Sequence, residues 1–127
     1  MTIIDTDALS RFLRALEPWR TLVAQELAAG TAATTAVNSF ELLSWRASPR
    51  TEAKIGALLD ALSIVEVDDA ASRRAAAARR HLEERGQPLA APDLLVAGVC
   101  LARGLPLLTS NQRHFARVPG LVLSKLA

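Results

Sequence analysis

Long apolar runs are missing from this chain, although half of its 127 residues are hydrophobic. A bilayer crossing needs about 20 consecutive apolar residues, and charged side chains interrupt every candidate stretch, so no membrane span is expected. The N-terminus has no basic segment leading into a hydrophobic one. Asp5 and Asp7 come at once, and no secretion signal is expected. Both absences point to a cytoplasmic protein. Cysteine is nearly absent as well: Cys100 stands alone, cannot form an internal disulfide, and reads as a buried inert thiol within an apolar helical pattern. His81 and His114 are far apart and make no zinc-type spacing with it. Lysine occurs only at positions 54 and 125, so the basic residues are nearly all arginine, whose guanidinium grips phosphate bidentately and stacks on bases. With a net charge of only +2, this composition permits a nucleic-acid partner without requiring one.

The length suits one domain, residues 1–127, with one substantial core. Neither an internal repeat nor a low-complexity linker divides it. Thr2 to Ile4 reads as a buried strand. A helix follows with Leu9, Phe12, Leu13 and Leu16 on one face, capped by Thr6 or Asp7 and stopped by Pro18. A second helix carries Leu22, Val23 and Leu27 and closes at Gly30. β-Branched residues place a second strand over residues 31–37, with Asn38 as the cap of a third helix carrying Phe40, Leu42, Leu43 and Trp45. Ser48-Pro49 opens a fourth helix, in which Ile55, Leu58, Leu59 and Leu62 keep helical spacing. Residues 63–67 read as a third strand.

Asp68 and Asp69 open the longest helix, which runs to about Arg85 and ends at Gly86. Its inner stripe of Ala71, Ala75, Ala78 and Leu82 is small enough to lie close to a neighbour. Arg73, Arg74, Arg79, Arg80 and Arg85 crowd its other faces as a solvated surface, an RNA-binding role being the other reading. From Pro92 to Gly104 the pattern is apolar nearly all round, which describes an interior helix. A fourth strand is expected over residues 105–108, then a short turn or helix through Phe115 and a last strand at 121–123. Strands alternate with helices throughout. The expected class is therefore α/β, a mainly parallel sheet of four to five strands with helices on both faces.

In such sheets ligands bind beyond the carboxyl ends of the strands. Asp5 ends the first strand, Glu41 lies in the first turn after the second, Asp93 opens the helix before the fourth, and Asn111 follows the fourth. Carboxylate oxygens so gathered can bind Mg²⁺ or Mn²⁺ and leave positions for water and phosphate oxygens. Each residue also has a structural reading. Asp7 reads first as a helix cap. Glu41 completes a capping box with Asn38, Asp93 is a first-turn acid favoured by the helix dipole, and Asn111 can cap the next short helix. Asp5 is harder to explain that way, because an acid closing a buried strand is costly without a cation or strong donors.

The stretches Ile3-Ile4-Asp5-Thr6-Asp7-Ala8-Leu9, Val37-Asn38-Ser39-Phe40-Glu41-Leu42-Leu43, Pro92-Asp93-Leu94-Leu95-Val96-Ala97 and Leu107-Leu108-Thr109-Ser110-Asn111, with His114-Phe115 and Val118-Pro119-Gly120-Leu121, resemble the successive motifs of PIN-domain ribonucleases, in particular VapC-type toxins. The resemblance covers nearly the whole chain in order. It implies a Mg²⁺- or Mn²⁺-dependent endoribonuclease of a type II toxin–antitoxin pair, usually a homodimer, inhibited by an antitoxin that fills the active-site groove. It implies further that Asp5, Glu41 and Asp93 form the acidic triad, Asp5 and Asp93 as direct metal ligands and Glu41 orienting the metal or its water. Thr6 and Thr109 would support the acids, with Asp7 and His114 beside them and Arg11, Arg14 and Arg113 as RNA contacts. Asn111 and His114 stand where members often carry a fourth acid, so one firm metal site is expected.

Two other readings have their own residues. Asp5-Thr6-Asp7 and Leu107-Leu108-Thr109 also resemble motifs of haloacid-dehalogenase-like phosphatases, but those enzymes need a later lysine and acidic pair, and no acid follows Thr109. A non-catalytic RNA- or protein-binding module is the second, and retention of all three acids argues against it. Asp5→Asn is expected to remove activity, Asp7→Asn mainly to cost stability.

Overall fold

Residues 1–126 are described by a computed structural model. Four parallel strands, β1 (Thr2–Ile4), β2 (Ala32–Thr35), β3 (Ser63–Val65) and β4 (Leu107–Leu108), lie in the order β3-β2-β1-β4. Seven helices join them among the described residues: α1 (Thr6–Leu13), α2 (Trp19–Ala29), α3 (Ala36–Leu43), α4 (Pro49–Ala61), α5 (Asp69–Glu84), α6 (Ala91–Arg103) and α7 (Gln112–Phe115). The α/β class and the parallel sheet agree with expectation, at the lower strand number. None of these helices is long and apolar enough to cross a membrane.

Successive residues of a strand face opposite ways, and the two cores follow from that alternation. Ile3, Ala33 and Leu107 join α5 and α6 on one face, while Ile4, Ala32 and Leu108 join α1, α2 and α4 on the other. Ile3 and Ile4 are fully buried, and each such side chain is worth roughly 1.5–3 kcal/mol of transfer free energy. The small stripe of α5 does what its residues suggest. Gly98 of α6 sits so close to it that an added Cβ would lie 2.3 Å from the Ala71 carbonyl oxygen. Cys100 is buried beside this contact, and burial, with a smaller contribution from Asp5, pushes its thiol up to about 12.

Several boundaries move. β2 ends at Thr35 and α3 starts at Ala36, because Thr35, the last residue of the ladder and paired with Val65, is also the N-cap of α3. The capping box is thus Thr35 with Asn38, not Asn38 with Glu41. α1 is capped by Asp5, not Thr6 or Asp7, its carboxylate accepting the Thr6 N–H. β3 stops at Val65, and β4 keeps only two residues, since Pro106 has no N–H to give a ladder. The expected last strand reduces to one bridge, Leu123 beside Leu107. Leu16 on α1's expected inner face is exposed. Phe40 and Leu43 of α3, and Trp45 just beyond it, are also exposed, leaving Leu42 as the buried anchor.

Candidate active site

With β1 between β2 and β4, the chain leaves β1 to one side and later crosses to the other. The crevice at that switch lies beyond the strands' carboxyl ends. Asp5 follows β1 there, Thr109 follows β4, and α3 rises from β2 carrying Asn38 and Glu41. α6 runs back toward the sheet's other end, so its first turn, with Asp93, also starts at this edge. Asp5, Asp7, Glu41 and Asp93 line one open cleft of about 590 Å³, together with Ser110 and Asn111. The topology thus brings together the three acids of the proposed triad, with Asp7 beside them.

A directed hydrogen-bond chain holds them. The Thr35 hydroxyl donates to Asn38 Oδ1 at 2.7 Å. Asn38 Nδ2 donates to Asp5 Oδ1 at 3.1 Å and to Thr6 Oγ1 at 2.9 Å, and the Thr6 hydroxyl donates onward to Glu41 Oε1 at 2.7 Å. From the other side the Thr109 hydroxyl donates to Asp5 Oδ2 at 2.8 Å, and the Asn111 N–H donates to Thr109 Oγ1 at 3.1 Å. Asp7 accepts from the Ser110 N–H at 3.2 Å and closely from the Ser110 hydroxyl. It straps α1 to the loop after β4 and lines the cleft, so its position is not that of a cap at the rim. Among the described residues no buried side-chain nitrogen or oxygen lacks a partner.

Thr6 and Thr109 hydrogen-bond the acids Glu41 and Asp5, while Asp7, read first as a helix cap, is held by Ser110. Asn38 and Ser110 are the residues the sequence reading missed. Asn38 was noticed only as a helix cap, and its bond to Asp5 spans 33 positions that no local pattern connects. His114 is exposed and bonds Asn111 Oδ1 through Nδ1, so the Asn111 side chain is turned to His114 instead of capping α7. Arg11, Arg14 and Arg113 do not line the cleft. The Arg11 guanidinium lies over the Trp19 ring, 5.9 Å from its centroid, and the other two are exposed.

Electrostatically the cleft is under tension. Burial, then the nearby Asp7 charge, pushes Asp5 up to about 7, against partial relief from Thr109 and Thr6. Asp93 is also raised, by burial and then by Glu41 and Asp7, with His114 opposing. Carboxylates arranged this way repel one another unless positive charge enters.

The donor set decides which ion fits. It is all oxygen, which suits a hard cation such as Mg²⁺ or Mn²⁺. A carboxylate offers about four lone-pair positions, and Asp5 has three engaged, by Thr6, Asn38 and Thr109. Among the described residues no three His, Cys, Asp or Glu side chains lie close enough to enclose an ion by themselves. A cation there would be held by one or two carboxylates and would keep water and take phosphate oxygens, the usual habit of Mg²⁺.

The chain belongs to the PIN domain family, whose sequence profile matches residues 2–121. Within that family its relatives include the tRNA(fMet)-specific endonuclease VapC of Shigella flexneri, 33% identical over 72 residues, covering 57% of this chain and 54% of the relative. The protein of the same description from Salmonella typhimurium is 31% identical over 75 residues, 59% of this chain and 57% of its own length. The match thus spans about half the length of these curated relatives. The fold is shared along the whole chain with solved structures. DNA-bound VapBC from Salmonella typhimurium superposes with a TM-score of 0.84 at 21% identity, covering 100% of both chains. VapBC2 from Rickettsia felis, bound to a promoter DNA fragment, gives 0.84 at 19% identity, covering 97% and 96%. VapBC-5 from Mycobacterium tuberculosis gives 0.68 at 26% identity, covering 97% and 98%.

Proposed function

We propose that this chain is a divalent-metal-dependent endoribonuclease, the toxin of a toxin–antitoxin pair, working in the cytoplasm. One observation carries the reading: Asp5, Glu41 and Asp93, far apart in sequence, line a single cleft at the switch point of the sheet. Mg²⁺ or Mn²⁺, when bound, supplies positive charge beside the scissile phosphate and makes water more acidic. Asp5 and Asp93 are the residues that would hold it. Thr109 and Asn38 fix both oxygens of Asp5, so its orientation is set before a ligand arrives. Thr6 holds Glu41 by one oxygen and leaves the other to orient the attacking water. The curated relatives, named as tRNA(fMet)-specific endonucleases, make tRNA(fMet) the first substrate to try.

An antitoxin protein and a second copy of the chain are the partners this reading implies. The solved relatives are VapBC complexes, and exposed Phe40 and Leu43 offer apolar surface to a protein partner. The test is cleavage of RNA by the purified protein with Mg²⁺ or Mn²⁺ and with EDTA. Asp5→Asn and Asp93→Asn should each lower the rate by at least about a hundredfold, the scale lost with one electrostatic contributor, while circular dichroism stays unchanged. Folded variants that cleave as fast as the parent would refute the assignment.

A further inference from the structure

Trp45 is the one non-polar residue lining a cleft otherwise walled by carboxylates, hydroxyls and an amide. It follows the C-cap Ser44, its N–H reaching the Leu42 carbonyl at 3.4 Å, and it stands 41% exposed. The other tryptophan, Trp19, is only 5% exposed and lies under the Arg11 guanidinium. The chain therefore uses one indole for its core and presents the second at the acidic cleft. Exposed Phe40 belongs elsewhere, to an apolar groove with Ala36, Val67 and Leu95.

The cleft's chemistry selects among possible occupants. An apolar peptide side chain would find no second apolar residue there. A ligand held through its phosphates would meet four acids and little positive charge, since Arg11, Arg14 and Arg113 lie outside the cleft. A nucleobase matches both features, because its flat face stacks on an indole and its polar edge suits hydroxyl and amide walls. Stacking carries no net charge, so the carboxylates do not oppose it. We propose that Trp45 is a positioning residue that stacks on an unpaired base of the RNA next to the scissile phosphate, holding that phosphate against the acids. This rests on the ribonuclease reading, and the base must be an unpaired one because only such a base is free to leave its own stack.

The experiment pairs cleavage with binding. KM and kcat are measured for the parent, Trp45→Ala, Trp45→Leu and Trp45→Phe on a short fluorescein-labelled single-stranded oligoribonucleotide and on its duplex. Affinity is measured by anisotropy in an Asp93→Asn background, so that the RNA survives. Trp45→Ala and Trp45→Leu should raise KM and Kd for the single strand about 5- to 100-fold, the cost of one lost base–aromatic stack. kcat should stay within about twofold, and Trp45→Phe should keep most of the affinity. An abasic nucleotide beside the cleaved bond should weaken the parent by the same factor and add nothing in Trp45→Ala, a coupling that a merely structural tryptophan would not show.

A parent that cleaves, with Trp45→Ala cleaving at the same KM, overturns the stacking role alone. Independent losses from the abasic site and from Trp45→Ala do the same, as does Leu matching Phe, which would mark an apolar contact for a protein. A parent that binds RNA through Trp45 without cleaving refutes the nuclease reading and keeps the stack. A parent that does neither refutes both.

Discussion

Asp5→Asn should stabilise the protein in the absence of metal, and by an amount that depends on pH. Asp5 is 7% exposed, and its carboxyl is pushed up to about 7 from an ordinary 3.8, first by burial and then by Asp7. Below pH 3.8 it is protonated whether the chain is folded or not, and it costs nothing. Between 3.8 and about 7 the unfolded chain releases the proton while the folded chain keeps it, so stability falls as pH rises. Above about 7 the full penalty stands, roughly three pH units at ~1.36 kcal/mol each, or about 4 kcal/mol. Asparagine has nearly the same shape and no charge. Its oxygen can accept from Thr6 and Asn38, and its amide can donate to Thr109 Oγ1, whose own proton can turn to Asp7 Oδ1, 3.3 Å away. Urea denaturation in EDTA should show the variant more stable by up to about 4 kcal/mol at pH 8 and equal to the parent near pH 4. Adding Mg²⁺ at pH 8 should raise the parent's melting temperature and leave the variant's unchanged. A variant no more stable than the parent at pH 8 would refute the account of a charge held under strain for a cation.

Two further substitutions test how the site and the core are braced. Asn38→Ala removes the donor to Asp5 and leaves the buried Thr35 N–H and hydroxyl without their acceptor. It should lower stability by about 2–3 kcal/mol in urea denaturation, since each unpaired buried group costs about 1–3 kcal/mol, and a loss under about 1 kcal/mol would mean the network is replaceable by water. Gly98→Ala sets two effects against each other. Helix propensity favours alanine by about 1 kcal/mol, but its Cβ would meet backbone, the Ala71 carbonyl at 2.3 Å, and such overpacking costs about 1–3 kcal/mol or more. Net destabilisation in a thermal melt is the expected result, and a stabilised variant would show that α5 moves aside freely.

Where local chemistry decides structure, the sequence was readable. Helical apolar spacing marked the longer helices, short apolar or β-branched runs marked the four strands, and Gly30 and Gly104 end their helices in the left-handed conformation that glycine adopts without strain. Thr35 was read correctly as a strand residue, but its second role as a cap was missed, because threonine serves equally well in both and only the ladder's end reveals the cap. The third helix was read as carrying Phe40, Leu42, Leu43 and Trp45, but hydrophobicity says that a side chain avoids water and not which neighbour covers it, and only Leu42 is buried. The acids were legible through their order along the chain. Asn38 and Ser110 were not, because their task is a contact with a residue distant in sequence, Asp5 at the cap of α1 and Asp7 within it.

The bond from Thr109 to Asp5 joins residues 104 positions apart, and β4, which delivers Thr109, is the last strand to be synthesised. A nascent chain that has placed β1, β2 and β3 still lacks one wall of the cleft and half the grip on Asp5. The acidic site therefore closes only when β4 has joined β1 and brought Thr109 to Asp5.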